Sequence, residues 1–189
     1  MKRTHQHEEI RLTNGALRIV AVADTHGNPH PKTAERIREA APQWILHAGD
    51  VGDRAVLRAL EALAPVIAVR GNIDGRAPDL PDVVTIDVKD ERSTLIKILL
   101  VHIAVYGTKL RKDVASLARK SDATLVVCGH SHVPFATNDD TIAVFNPGSI
   151  GPRRFQLPIC LGVIDVSANG VSVRHIDCET GLPWSPKVS

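Results

Sequence analysis

Five apolar runs in this chain each lead directly to a residue able to bind a metal or move a proton, and no other feature limits the fold as much. Residues 17–23 (LRIVAVA) run into Asp24 and His26, and residues 44–47 lead through Ala48 and Gly49 to Asp50. Residues 66–69 lead to Gly71 and Asn72, residues 95–101 to His102, and residues 125–128 to Gly129-His130-Ser131-His132. The runs are short and rich in β-branched residues, which marks buried strands. Between the first three lie two amphipathic stretches. Residues 33–41 follow Pro31 and stop at Pro42; residues 54–63 space Val56, Leu57, Leu60 and Leu63 at helical intervals and stop at Pro65. Strand, helix, strand, helix, strand is the order of a parallel sheet with right-handed crossovers. Loops at the carboxyl ends of such strands converge on one crevice, so these residues are expected along a single edge.

The second half reads differently. Residues 83–88 and 95–101 are neighbouring strands joined through Lys89-Asp90-Glu91-Arg92, and residues 112–119 form a helix that turns Val114, Leu117 and Ala118 inward. Strands follow at 125–128 and 142–145, with a shorter one at 135–138 between them. Residues 159–166 and 171–176 flank Asn169-Gly170, a strong hairpin signal. Roughly ten strands suffice for two packed sheets in one α/β domain over residues 1–189. Residues 1–16 form a polar arm or edge strand, and the proline-containing tail 181–189 is expected to be loose.

Composition narrows the function classes. Lys plus Arg is 23 against 21 Asp plus Glu, so a net charge of +2 gives no footprint for tight nucleic-acid binding. The few aromatics are scattered and build no base-stacking platform, which leaves a nucleotide-sized substrate open. Cys128, Cys160 and Cys178 lack the number and spacing of a disulfide framework or a cysteine zinc site. No apolar run follows the charged start and no stretch approaches the ~18 apolar residues of a membrane span, so a cytoplasmic protein is expected.

A lone Asp-x-His or Gly-Asn-x-Asp is ordinary turn chemistry. Order and placement together point to a site. Asp24, His26, Asp50, Asn72, His102, His130 and His132 are too many ligands for one zinc ion and suit two metals sharing a carboxylate. Mixed nitrogen and oxygen donors fit Mn²⁺, Fe²⁺, Ni²⁺ or Zn²⁺ rather than Ca²⁺. His5, His7, His30 and His175 need no role, and His47, inside an apolar run, reads as a core or supporting histidine.

The ordered set Asp24-Thr25-His26, Gly49-Asp50, Gly71-Asn72-Ile73-Asp74, His102, Gly129-His130-Ser131-His132 resembles the calcineurin-like metallophosphoesterase superfamily. With the short length and Asn146-Pro147-Gly148-Ser149, it is similar to the small bacterial and archaeal phosphodiesterase branch, which includes the eukaryotic retromer scaffold subunit. The resemblance spans residues 17–177. It implies a four-layer α/β/β/α sandwich, with two mixed β-sheets packed face to face and flanked by helices. It further implies Asp24, His26 and His132 on one divalent metal and Asn72, His102 and His130 on a second, with Asp50 bridging. Mn²⁺ is the first choice of metal, and a homo-oligomer follows by family analogy.

The departures carry chemistry. Ile73 stands where many superfamily members have His, and this branch often Cys, so it offers no proton to a leaving oxygen. Ile103 stands where Gly is usual. Gly49-Asp50-Val51-Gly52-Asp53-Arg54 resembles the phosphoprotein-phosphatase version of the motif, in which the second Asp orients a catalytic group and the Arg holds phosphate; a helix-start Asp53 and a solvated Arg54 is the equal alternative. Asp53 and Asp74 read as supports that hold an imidazole or the bridging water, and Arg153 and Arg154 as phosphate contacts, interface residues or solvated side chains.

The expected function is a dinuclear metal-dependent phosphodiesterase, rather than a monoesterase, acting on a small phosphoester such as a nucleotide. A metal-bridging hydroxide attacks phosphorus, and the catalytic group is Asp50, Asn72, His130, Asp53, Arg54 and Asp74. The rival is a metal-binding interaction scaffold on the same fold, which Ile73 keeps open and the full set of seven ligands disfavours.

Overall fold

The computed structural model describes residues 3–12, 14–75, 77, 79–107 and 109–186. The chain opens with strands β1 (His5–Arg11) and β2 (Ala16–Val22), helix α1 (Thr33–Ala40), β3 (Trp44–His47), α2 (Arg54–Glu61) and β4 (Val66–Ala68). The pairs β2–β3 and β3–β4 are parallel, as the strand–helix alternation predicts. Next come β5 (Val83–Lys89), β6 (Thr94–Val101), a small hairpin of β7 (Val105–Tyr106) and β8 (Lys109–Leu110), and α3 (Lys112–Lys120). The chain finishes with β9 (Leu125–Val127), β10 (Phe135–Asp139), β11 (Ile142–Asn146), β12 (Cys160–Ser167), β13 (Gly170–Asp177) and β14 (Pro183–Trp184).

Two six-stranded mixed sheets result, ordered β14-β13-β12-β2-β3-β4 and β1-β5-β6-β9-β11-β10. Period-two patterning explains how they stack. On β2, Leu17, Ile19 and Ala21 enter the core between the sheets, whereas Val20 and Val22 face α1 and α2. On β6, Ile96, Ile98 and Leu100 face the other sheet, whereas Leu99 and Val101 pack with Val114 and Ala118 of α3. Strands apolar on both faces need cover on both, and this yields the four layers α/β/β/α. Each fully buried Leu, Ile or Val contributes roughly 1.5–3 kcal/mol of transfer free energy.

Of the two forms expected for the polar start, it takes the edge strand: β1 runs parallel to β5 from His5 opposite Val83 to Arg11 opposite Lys89. Its single buried residue, Ile10, joins the inter-sheet core. Part of the tail expected to be loose is paired: Pro183 and Trp184 lie against Ile176 and His175, and the Trp184 ring meets the His175 ring edge-on at 5.7 Å. The end of the tail, residues 187–189, lies outside the described residues. The hairpin β7–β8 is too short for periodicity to reveal. No helix among the described residues is long and apolar enough to cross a membrane.

Candidate metal centre

The seven expected ligands sit just beyond strand ends. Asp24 and His26 follow β2, Asp50 follows β3, Asn72 follows β4, His102 follows β6, and His130 and His132 follow β9. Five have positive φ: Asp24 (53°), His26 (50°), Asp50 (53°), His130 (71°) and His132 (60°). Left-handed backbone is uncommon outside glycine, though Asp and His tolerate it better than most residues. Here it lets each strand turn sharply, so that the side chain stands at the sheet edge. Glycine is required where the loops meet: a Cβ on Gly71 would lie 2.1 Å from the Asp50 backbone nitrogen, and one on Gly129 would lie 2.9 Å from Asp24 Oδ2.

Two overlapping groups form, Asp24–His26–His132 and Asp24–Asp50–His102, each with ligand atoms within 4.8 Å of one another. Asp24 Oδ2 accepts the His130 backbone N–H at 2.9 Å; Oδ1 lies 3.6 Å from His132 Nε2. Asp50 turns Oδ1 to His102 Nε2 at 3.3 Å and Oδ2 to His26 Nε2 at 3.8 Å. His26 Nε2 and His132 Nε2 approach to 3.2 Å. His102 Nδ1–H donates to the Ala48 carbonyl at 2.8 Å, which leaves Nε2 as the lone-pair nitrogen, 3.0 Å from Asn72 Oδ1. The exposed His130 ring stands edge-on to His102 with centroids 5.2 Å apart.

Lone pairs therefore face one another with too few protons between them. Asp24 Oδ1 and His132 Nδ1 are buried without hydrogen-bond partners among the described residues. Burial, reinforced by the neighbouring Asp50 charge, pushes the Asp24 pKa up to about 8. Burial, aided by Arg154 and His26, pushes His132 down to about 4, and burial also lowers His26 and His102. Converging neutral imidazoles and two carboxylates, one with an orphaned oxygen, are a donor set that fits divalent cations.

The surrounding contacts fix the loops. Asp74 accepts backbone N–H groups from Gly71 (2.6 Å), Gly52 (2.9 Å) and Val51 (3.2 Å). Fully buried His47 accepts the Gly49 N–H on Nδ1 at 3.2 Å, so its Nε2–H donates to Thr25 Oγ1 at 2.7 Å. Burial pushes its pKa down to about 4. Asn146 Nδ2 donates to the Gly129 carbonyl (2.8 Å) and Ser131 Oγ (3.1 Å), and Ser149 Oγ donates to the Asp24 carbonyl (2.9 Å).

The remaining expected residues have other partners. Asp53 caps α2 by accepting the Ala55 N–H at 2.8 Å, and Arg54 Nη2 donates to Asp79 at 2.9 Å; neither hydrogen-bonds to the seven ligand side chains. Ile73 gives its N–H to Asp50 Oδ1 at 3.1 Å while its side chain is 49% exposed. Arg153 is held by the Leu157 carbonyl and Glu179, whereas exposed Arg154 brings Nη2 to 3.3 Å from His26 Nε2. Nothing in an Arg-Arg pair of the linear sequence tells which of the two turns toward the site.

One family profile and several known proteins match this chain. The family profile described as "Calcineurin-like phosphoesterase superfamily domain" matches residues 17–169. A probable metallophosphoesterase of Methanothermobacter thermautotrophicus is 32% identical over 176 residues, covering 87% of this chain and 94% of that protein. Phosphodiesterase YfcE of Escherichia coli K12 is 26% identical over 167 residues, covering 79% and 88%. Vacuolar Protein Sorting 29 from Cryptosporidium parvum shares the fold at a TM-score of 0.70 and 16% identity, covering 90% of this chain and 95% of that one.

Proposed function

The chain belongs to the calcineurin-like phosphoesterase superfamily, and on that premise we propose that it hydrolyses phosphodiesters at a centre of two divalent ions. Asp24, His26 and His132 would hold one ion and Asn72, His102 and His130 the other, with Asp50 shared. The observation that carries this reading is the Asp50 carboxylate, whose two oxygens lie 3.3 Å from His102 and 3.8 Å from His26. Bound there, ions such as Mn²⁺, Fe²⁺, Ni²⁺ or Zn²⁺ supply Lewis-acid charge and an activated water.

The chain's own residues account for the preference among esters. Arg154, exposed beside His26, is within reach of a phosphoryl oxygen, and its guanidinium fork matches phosphate. Ile73, half exposed and with its backbone N–H on Asp50 Oδ1, has no proton for a departing alkoxide. Leaving groups of low pKa are therefore favoured. A diester, with one charge fewer than a monoester, also suits the apolar Ile103 beside Asn72 and His102 better.

The test is hydrolysis of bis-p-nitrophenyl phosphate beside p-nitrophenyl phosphate, on metal-stripped protein with Mn²⁺, Ni²⁺ or Zn²⁺ added back. Metal-dependent turnover, faster for the diester and lost with bound metal in Asp50→Ala, is the expected result. Faster monoester turnover overturns the substrate class. Two bound ions without turnover of either ester point instead to an interaction scaffold.

A further inference from the structure

A cavity of about 280 Å³ opens beside the candidate ligands Asn72 and His102, and three arginines from distant parts of the chain line it: Arg3, Arg70 and Arg111. Arg3 comes from the segment before β1, Arg70 from the loop after β4, and Arg111 from the start of α3. Asp82 holds the first of these segments in place by accepting the Thr4 N–H at 2.7 Å, while it pairs with Arg70 Nε at 2.7 Å. Asp113 is shared between Arg3 Nη2 at 2.8 Å and Arg111 Nε at 3.3 Å. Three guanidinium groups thus share two carboxylates, so the cluster carries one net positive charge. Each guanidinium has five N–H donors, so these contacts leave donors free in all three. Ile103 gives the same cavity an apolar wall.

We propose that this cleft binds a second phosphate carried by the phosphodiester substrate, so that the substrate class is a nucleoside-sized diester bearing one further phosphate. The proposal rests on the phosphodiesterase reading above. Arginine forks recognise phosphate through paired, charge-assisted hydrogen bonds, and a ligand anchored there has its neighbouring diester beside Asn72 and His102. The volume lies at the lower end of small-molecule sites and matches a phosphorylated sugar rather than a polymer. Ile103 supplies the apolar contact for the sugar face.

Two esters that differ in a single group test this: thymidine 5′-(p-nitrophenyl phosphate) with and without a 3′-phosphate. The expected result on Mn²⁺-loaded protein is a kcat/KM at least about tenfold higher for the 3′-phosphorylated ester, expressed mainly in KM. That ratio falls towards one in Arg3→Ala and in Arg111→Ala, with folding of each variant checked by thermal melting. Calorimetry reads the same contrast without turnover, as tighter binding of thymidine 3′,5′-bisphosphate than of thymidine 5′-monophosphate. Equal binding of the two nucleotides by the unaltered protein, or binding of neither, overturns the proposal, as does an unchanged ratio in both variants. Intact discrimination in binding with no turnover of either ester supports the cleft and overturns the esterase reading instead.

Discussion

The Asp74 carboxylate accepts the backbone N–H of Gly52 at 2.9 Å, and this bond ties the loop that carries Asn72 to the loop that carries Asp50. The same carboxylate holds Gly71 and Val51, so one half-buried side chain sets the spacing of two candidate ligands from separate strands. Its partners are backbone amides, so it acts on the ligands by positioning their loops.

Replacing Asp74 should therefore loosen the centre before it unfolds the protein. Hydrogen bonds to a charged acceptor are worth roughly 1.5–3 kcal/mol each, and supporting groups around metal ligands typically change affinity 10–100-fold. Because Asp74 is half-buried, water replaces part of what its three bonds supply, and Asp74→Ala is expected to lose about 2–4 kcal/mol in urea unfolding of the metal-free protein and about tenfold in Mn²⁺ affinity by calorimetry. Asp74→Asn, which keeps an acceptor, should lose less of both. Unchanged Mn²⁺ affinity in Asp74→Ala would remove its positioning role.

Asp24 gives a pH dependence with a definite sign. Burial and the nearby Asp50 charge raise its folded pKa from 3.8 to about 8, so the metal-free fold favours the protonated acid. Its contribution is fully present below about pH 4 and is lost as pH rises through 8. Asp24→Asn should abolish that slope and leave the metal-free protein more stable than the parent at pH 9, measured by denaturant unfolding in chelator. With Mn²⁺ present the order should reverse, because the variant lacks a ligand. A metal-free variant less stable than the parent at pH 9 would contradict this account.

His47 acts in the opposite direction. Burial lowers its folded pKa from 6.5 to about 4, so the unfolded chain takes up a proton first as pH falls. Stability is lost from pH 6.5 down to about 4, by at most about 3 kcal/mol from this residue. His47→Gln should start from a lower stability at pH 7, since Gly49 loses its acceptor, and then show a shallower acid decline than the parent in metal-free unfolding curves. The other buried histidines, His102, His132 and His175, have the same sign and keep part of the slope in the variant.

Ile73 predicts a selective gain. A general acid contributes typically 10²–10⁴-fold where a leaving group needs a proton, and little where it does not. Ile73→His should raise turnover of alkyl-leaving diesters by about a hundredfold while changing bis-p-nitrophenyl phosphate by less than about threefold. Equal effects on both esters would mean that the side chain acts through packing or metal affinity rather than as a proton donor.

Much of this architecture is legible in the linear chain, for identifiable reasons. The alternation of Leu17, Ile19 and Ala21 with Val20 and Val22 encodes two buried faces, because a strand turns successive side chains to opposite sides. Asp24, Asp50, Asn72, His102 and His130 each follow an apolar run closely, and parallel strands deliver their carboxyl ends to one edge. The edge strand β1 was ambiguous in the sequence because it has one buried residue and no core-facing alternation. The pairing of Trp184 with His175 depends on β13 being available beside it.

The linear chain specifies which residue types arrive at the sheet edge and in what order. Periodicity and strand ends are local properties of the backbone, and they survive without knowledge of partners. Packing in three dimensions places Asp50 between His26 and His102, turns Arg154 rather than Arg153 to the site, and brings Arg3, Arg70 and Arg111 to one cavity. Each of those outcomes depends on contacts between segments far apart in the chain. Such contacts are set by the packing of the two sheets and by left-handed turns at the ligands, where a single φ selects the direction in which a side chain points.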